Sequence, residues 1–210
     1  FKQKTAYEIY QCDWSSDVCS SDPSGLDRAQ ALAGGIPTGY SSDILKGQAV
    51  LYVAGSGVIE PVNATGDAIS GAFAGVEWTD TTGRRRVSNY WPANTDYQTG
   101  SCVAYFYNDP NIVYEIQADG SVAQTAVGLD ANLSNFAAGS NVTGLSQATL
   151  NHTVLSTGTQ GQVQVLDIAP YPDNAWGDNY TIVRVQVARR QIAAVVPGRS
   201  EEHTSELQSH

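Results

Sequence analysis

The stretch that decides the fold is residues 69–94, ISGAFAGVEWTDTTGRRRVSNYWPAN. Its first half mixes β-branched and aromatic residues with alanine and glycine, which favours a strand that runs to Trp78. Residues 79–83 are polar and end in glycine, the usual composition of a hairpin turn. Residues 87–91 predict a returning strand, and Pro92 ends it because proline cannot donate a hydrogen bond to a ladder. We therefore expect a β-hairpin here.

Three consecutive cations lie at the predicted tip of this hairpin, Arg84, Arg85 and Arg86. Arginine binds carboxylates and phosphates through paired hydrogen bonds, so the cluster is a candidate contact with an acidic partner surface. A solvated turn explains the same residues equally well. Trp91, at the base of the hairpin, is a second candidate contact; an aromatic residue there suits either a subunit interface or the core.

The composition indicates an all-β protein. Of 210 residues, 41% are hydrophobic, only 15% are charged and 20 are glycine. Such a composition, with many β-branched residues, favours strands over helices. Turn signals separate short strand-like runs about every 8–12 residues, which is typical of sandwiches and barrels. We expect a compact antiparallel β-sandwich or β-barrel with little helix.

The charge and hydropathy of the chain exclude two classes of partner. A formal net charge of −10 argues against nucleic-acid binding, which needs a basic surface. No apolar run approaches the roughly 18 residues that a membrane span requires. We therefore expect neither nucleic acid nor membrane as a partner.

Both ends of the chain differ abruptly in composition from the sequence between them. Residues 1–23 and 199–210 resemble translated sequencing-adapter reads, and we expect neither to contribute to the fold. Residues 24–43 lack periodicity, which predicts an extended arm with one helical turn near residues 26–32. The arm either straps the core or adds a strand to a neighbouring subunit. Residues 44–198 are expected to form a single β domain.

A second hairpin is predicted downstream of the first. Residues 101–107 and 112–117 have the composition and alternation of strands, and Asn108-Asp109-Pro110-Asn111 has the residue types of a tight turn. We expect the two strands to pair antiparallel, in a register set by the turn.

Residues with catalytic or metal-binding chemistry are scarce between the two ends. That part of the sequence has one cysteine, Cys102, and one histidine, His152, so a site built on Cys and His ligands is excluded. We expect Cys102 to behave as a small buried hydrophobe and His152 to be structural. No cofactor is predicted.

Two weaker alternatives involve carboxylates. The Asp and Asn residues of the loop 173–179 offer oxygens to Ca²⁺, although such residues more often form turns. Glu77 and Asp80, beside the aromatic residues of the first hairpin, would suit a sugar cleft in which paired carboxylates cleave a glycosidic bond.

Three runs carry a resemblance to a known family: AGVEWTDTTGRRRVSNYWPAN, VAYFYNDPNIVYEIQADG and PDNAWGDNYTIVRVQV. They resemble structural proteins of tailed-bacteriophage heads, which are encoded beside the major capsid protein and decorate or cement the shell. The similarity spans most of residues 39–188 and rests on strands and loops, without a catalytic signature. No individual functional residue carries over.

The resemblance implies an all-β virion protein without enzymatic activity or cofactor. It also implies a homotrimer on the capsid exterior, bound to the major capsid protein, although some members of the family are head fibres or minor virion proteins. The competing class is a carbohydrate-binding or carbohydrate-cleaving β-sandwich of a phage tail or a secreted protein.

Overall fold

The computed structural model describes residues 29–33 and 35–191. Both adapter-like ends, and the expectation that they contribute nothing to the fold, lie outside the described residues. The described chain forms fourteen strands and one 3₁₀ turn at Gln124–Ala126. The strands are β1 (Ala29–Ala33), β2 (Ala49–Tyr52), β3 (Ile59–Pro61), β4 (Gly71–Thr79), β5 (Arg85–Ser88), β6 (Val103–Tyr107), β7 (Val113–Gln117), β8 (Asp130–Ala131), β9 (Leu133–Ser134), β10 (Gly139–Ser140), β11 (Leu145–Ser146), β12 (Thr149–Leu150), β13 (Val163–Ile168) and β14 (Ile182–Val187).

The strands form two main sheets, and every pair of neighbouring strands is antiparallel. The larger sheet has the order β1-β6-β4-β2-β3, with β5 also paired to β4. The smaller has the order β7-β14-β13-β8, and two short pairs, β10-β11 and β9-β12, flank these sheets. The predicted all-β fold class is confirmed.

The space between the two main sheets is filled by one hydrophobic cluster, here called the inter-sheet cluster. It includes Ala49 and Ala72 from the larger sheet and Val165 and Val185 from the smaller one. A second group, the outer cluster, covers the opposite face of the larger sheet and contains Phe73, Trp91 and Phe106, among others. The larger sheet is therefore buried on both faces.

A bulge explains why β4 lacks simple alternation. Ala72 belongs to the inter-sheet cluster and Phe73 to the outer cluster, as alternation requires. The pairing of β4 with β6 then shifts between Phe73 and Gly75. One inserted residue reverses the faces, so Val76 and Trp78 lie in the outer cluster together with Phe73.

The N-terminal arm straps the chain's own sheet. β1 pairs with β6 in a register that sets Ala29 opposite Tyr107 and Ala33 opposite Val103. The helical turn expected near residues 26–32 is therefore wrong over residues 29–32, which are extended. Further along, Ile36 is fully buried in the outer cluster. The sequence left two alternatives for the arm, a strap over the core or a strand added to a neighbouring subunit. The pairing with β6 and the burial of Ile36 correspond to the strap.

The second predicted hairpin is wrong in its pairing. Its two strands form as β6 and β7, and the Asp109 carboxylate accepts the Asn111 amide over 2.7 Å in the turn between them. However, β6 pairs with β1 and β4, whereas β7 pairs with β14 in the other sheet. Because both edges of β6 are already occupied, the turn carries the chain from one sheet to the other.

Candidate interaction surface

Asp80 organises the hairpin tip, residues 80–86, which comprises the turn after β4 and the first two residues of β5. One carboxylate oxygen accepts hydrogen bonds from the Thr82 hydroxyl (2.6 Å) and from the amides of Thr82 and Arg84 (both 3.0 Å). The other oxygen accepts Nε of Arg86 over 2.9 Å. The Thr82 hydroxyl, the Arg84 amide and the Arg86 guanidinium together hold the pKa of Asp80 well below its usual range. The tip is therefore a well-defined turn built around an ionised carboxylate.

Two of the three tip arginines are held by carboxylates of the same hairpin. Arg86 pairs with Asp80, and Arg85 pairs with Glu77 diagonally across the β4–β5 ladder. The side chains of Arg85 and Arg86 stay 72% and 53% exposed, so solvent screens both ion pairs and they add little to stability. Arg84 is exposed and makes no ion pair with another described residue. It is the uncompensated cation of the tip.

The outer edge of β5 is open. The Thr79 amide bonds to the Ser101 hydroxyl and the Thr79 carbonyl accepts the Gln98 amide, so the Thr79–Arg85 pair is of the non-hydrogen-bonded kind. Alternation then turns the N–H and C=O groups of Arg85 and Val87 away from β4, and they bond to no other described residue. The Val87 side chain is 64% exposed. Such an edge can pair with an extended segment of a partner.

Trp91 does not belong to this surface. It is fully buried in the outer cluster, with the Trp78 and Tyr97 rings at centroid distances of 5.3 and 5.9 Å. Its backbone pairs with Ile44, so β5 ends at Ser88, earlier than predicted. The prediction that Trp91 contacts a partner is wrong, because the segment that contains Ile44 covers it.

The sugar cleft expected beside the first hairpin is not formed. Trp78 is only 8% exposed and Trp91 is fully buried, so neither ring presents a face to a ligand. Glu77 and Asp80 are each held by an arginine. A glycosidase site at these residues is therefore excluded on geometric grounds.

A polar cluster around Asp119 was not predicted from the sequence, because its members are far apart along the chain. Asp119 Oδ1 accepts the His152 amide over 2.8 Å and lies 2.7 Å from His152 Nδ1, while Oδ2 accepts the Ser134 hydroxyl over 2.9 Å. The aspartate lies between the serine and the histidine, so His152 cannot take the Ser134 proton as a serine hydrolase requires. The cluster ties β9 to the segments that contain Asp119 and His152.

The pKa of Asp119 reflects two opposing effects. Burial raises it, but hydrogen bonds from the His152 amide and ring and from the Ser134 hydroxyl outweigh burial, so the pKa lies below the usual range. Asp119 is thus held as a carboxylate acceptor. Both the amide and the ring of His152, which was expected to be structural, contact this carboxylate.

Asn174 and Asp178 of the loop 173–179 bond to backbone groups in the loop and beside it. The Asn174 side chain donates to the Ala169 and Ile182 carbonyls (2.8 Å each) and accepts the Ile182 amide (3.0 Å). The Asp178 carboxylate accepts the Ala175 amide over 2.8 Å. These are turn-forming contacts. Within residues 29–33 and 35–191, no group of three or more Asp, Glu, His or Cys side chains is arranged to hold a metal ion.

A groove of about 630 Å³ lies beside the seam between the two hydrophobic clusters. Two segments, here called its walls, contribute to its lining: residues 40–43 and residues 136–141; Pro61 and Val62 also line it. Tyr40 packs against the outer cluster and Phe136 against the inter-sheet cluster. Sequence patterns gave no signal for this groove, because the residues that line it come from distant parts of the chain.

Among the described residues, no helix is long and apolar enough to cross a bilayer. Comparisons with protein-family models, with curated proteins and with solved structures find no match to this chain.

Proposed function

We propose that this protein is a non-enzymatic structural component of a phage virion that decorates or cements the capsid. In this proposal it acts without a cofactor, as a homotrimer on the capsid exterior, and binds the major capsid protein. The observation that supports it most directly is the β4–β5 hairpin, where the free cation Arg84 adjoins the open edge of β5. The sequence resemblance to phage head proteins supports the same class.

The hairpin is suited to an extended, acidic segment of a protein lattice. The edge of β5 offers the outward amides and carbonyls of Arg85 and Val87 for strand addition. Arg84 supplies a local positive charge on a chain whose net charge is −10. That charge steers an acidic segment to the edge and sets its position. Weak binding per copy is sufficient, because a trimer on a repeating shell multiplies it.

The charge is tested by co-sedimentation with shells assembled from the proposed partner, the major capsid protein. We expect Arg84→Ala to weaken binding about two- to fivefold at low salt, and less at high salt, because the contact is exposed. Arg189→Ala is the matched control, since Arg189 is an exposed cation next to Ile69, beyond the other end of β4. Equal loss in both variants would show a general charge effect and contradict a contact at the tip.

The strand edge is tested by two substitutions at one position. Val87→Pro removes an outward N–H that makes no bond to β4, so the hairpin should still form. Val87→Ala removes only the exposed side chain and keeps that N–H. We expect Val87→Pro to lose shell binding and Val87→Ala to keep most of it. Wild-type binding by Val87→Pro would overturn strand addition at β5.

The class of the protein is tested separately. Light scattering of the purified protein should give a trimer, and incubation with bacterial polysaccharides should release no reducing ends. A monomer that cleaves a polysaccharide would overturn the proposed function.

A further inference from the structure

We propose that the groove between residues 40–43 and 136–141 binds a neutral oligosaccharide. This activity is separate from the capsid role, which is assigned to the β4–β5 hairpin. The volume of about 630 Å³ lies within the roughly 300–1,000 Å³ typical of ligand sites. It is also a different location from the buried aromatic residues of the first hairpin.

The lining has the two kinds of group that recognise sugars. Tyr40 and Phe136 are partly exposed aromatic side chains of the lining, and each packs against a hydrophobic cluster. Aromatic rings pack well against the apolar C–H faces of pyranoses. Around them, the exposed side chains of Ser42, Asn63 and Asn141 form no hydrogen bond with other described residues. Amides and hydroxyls both donate and accept, as sugar hydroxyls require.

The charge of the lining selects against ionic ligands. None of the described residues that line the groove is a lysine or an arginine, so an anionic ligand finds no counter-charge. Asp43 is the one acidic residue among them, and its Oδ1 accepts the Ala93 amide over 2.7 Å. A single carboxylate that already holds a backbone amide suits a hydroxyl donor better than a cation. The ligand class is therefore neutral and rich in hydroxyl groups.

The walls are held in place before any ligand binds. The buried Gln48 side chain donates to the Phe136 carbonyl and accepts the Leu45 amide, both over 3.0 Å. On the other wall, the Tyr40 carbonyl accepts the Asn94 amide over 2.7 Å. Fixed walls reduce the ordering cost of binding, which favours recognition of weakly bound ligands such as sugars.

The test uses isothermal titration of the whole chain with maltohexaose, cellohexaose and chitohexaose, and with the anionic hexamer of galacturonic acid. We expect at least one neutral hexamer to bind with a Kd of about 1 mM or tighter, and the anionic hexamer to bind more weakly. Tyr40→Ala should lower that affinity about tenfold through loss of ring packing. Asn141→Ala, at an exposed position that leaves the core intact, should lower it several-fold.

Two further measurements locate the site. Tyr180→Gly removes an exposed aromatic ring outside the groove, at a φ of 61° that suits glycine, and should bind as the wild type does. In NMR titrations the side-chain amide signals of Asn63 and Asn141 should shift with the neutral hexamer. The proposal is overturned if none of the three neutral hexamers binds. It is also overturned if Asn141→Ala binds with unchanged affinity and the Asn141 side-chain amide signal of the wild-type protein does not shift in the titration.

Discussion

Nε of Arg86 lies 2.9 Å from Oδ2 of Asp80, so one carboxylate joins the two strands across the tip of the first hairpin. The other oxygen of Asp80 holds the amides of Thr82 and Arg84. The same side chain therefore shapes the backbone of the turn and neutralises one of its three cations. The position of Arg84, the cation left free, depends on this residue.

Asp80→Ala should loosen the tip without unfolding the protein. The substitution removes the acceptor for two backbone amides, but Asp80 belongs to neither hydrophobic cluster. Hydrogen exchange should quicken at Thr82 and Arg84 and remain unchanged in β6. Asp96→Ala, at an exposed aspartate, is the control and should leave the exchange rates of Thr82 and Arg84 unchanged. Unchanged exchange at Thr82 in Asp80→Ala would contradict this role.

The tip should also resist acid. The folded pKa of Asp80 lies below the unfolded value of about 3.9, so the carboxylate contributes stability above pH ~4. That contribution is lost only as the pH falls through the lower, folded value. We expect the Asp80 side-chain carboxyl signal in ¹³C NMR to show no titration midpoint near pH 4. A midpoint there would show that the Thr82 and Arg86 contacts do not persist in solution.

Gly71→Ala should destabilise the fold strongly. A Cβ at Gly71 would overlap the backbone carbonyl oxygen of Tyr107 in β6, and a backbone atom inside a sheet cannot move aside. We expect the free energy of unfolding to fall by about 1–3 kcal/mol or more. Gly66→Ala is the matched control, because a Cβ there meets no neighbouring atom. Chemical denaturation of both variants measures the difference, and equal stability would refute the close approach of β4 and β6.

Gln162 should be needed for stability although it is polar and fully buried. Its Oε1 accepts the Leu133 amide, and its Nε2 donates to the Ala64 and Asp67 carbonyls, each over 3.0 Å. Gln162→Met keeps the volume but leaves the buried Leu133 amide unpaired, at a cost of about 1–3 kcal/mol. Gln160→Met, at an exposed position, should cost little. Equal denaturation midpoints for the two variants would contradict the prediction.

Cys102 should be inert in the folded protein. Burial raises the pKa of its thiol to about 11, so almost no thiolate is present at pH 8. In a Cys12→Ser, Cys19→Ser background, we expect a disulfide reagent such as DTNB to react with Cys102 only in denaturant. Rapid reaction under native conditions would show that the outer cluster opens readily.

Local sequence chemistry was enough to predict the strand content and the first hairpin. The turn falls at residues 80–84, one residue later than predicted, and β4 and β5 pair across it as expected. Both features depend on a few neighbouring residues, whose backbone preferences act before any distant contact forms. The buried state of Cys102 was predicted for the same kind of reason, from a small apolar residue in a strand-like run.

Tertiary structure alone decided which strands are neighbours and which residues reach the surface. The turn at Asp109 forms as its residues predict, yet β6 and β7 join different sheets, because a turn fixes the direction of the chain and not the partner of the next strand. Trp91 lies in the core because a distant segment covers it. Which strand edges are paired and which residues are buried depends on contacts among all strands of the chain. Local sequence patterns therefore could not predict the open edge of β5 or the groove beside Tyr40.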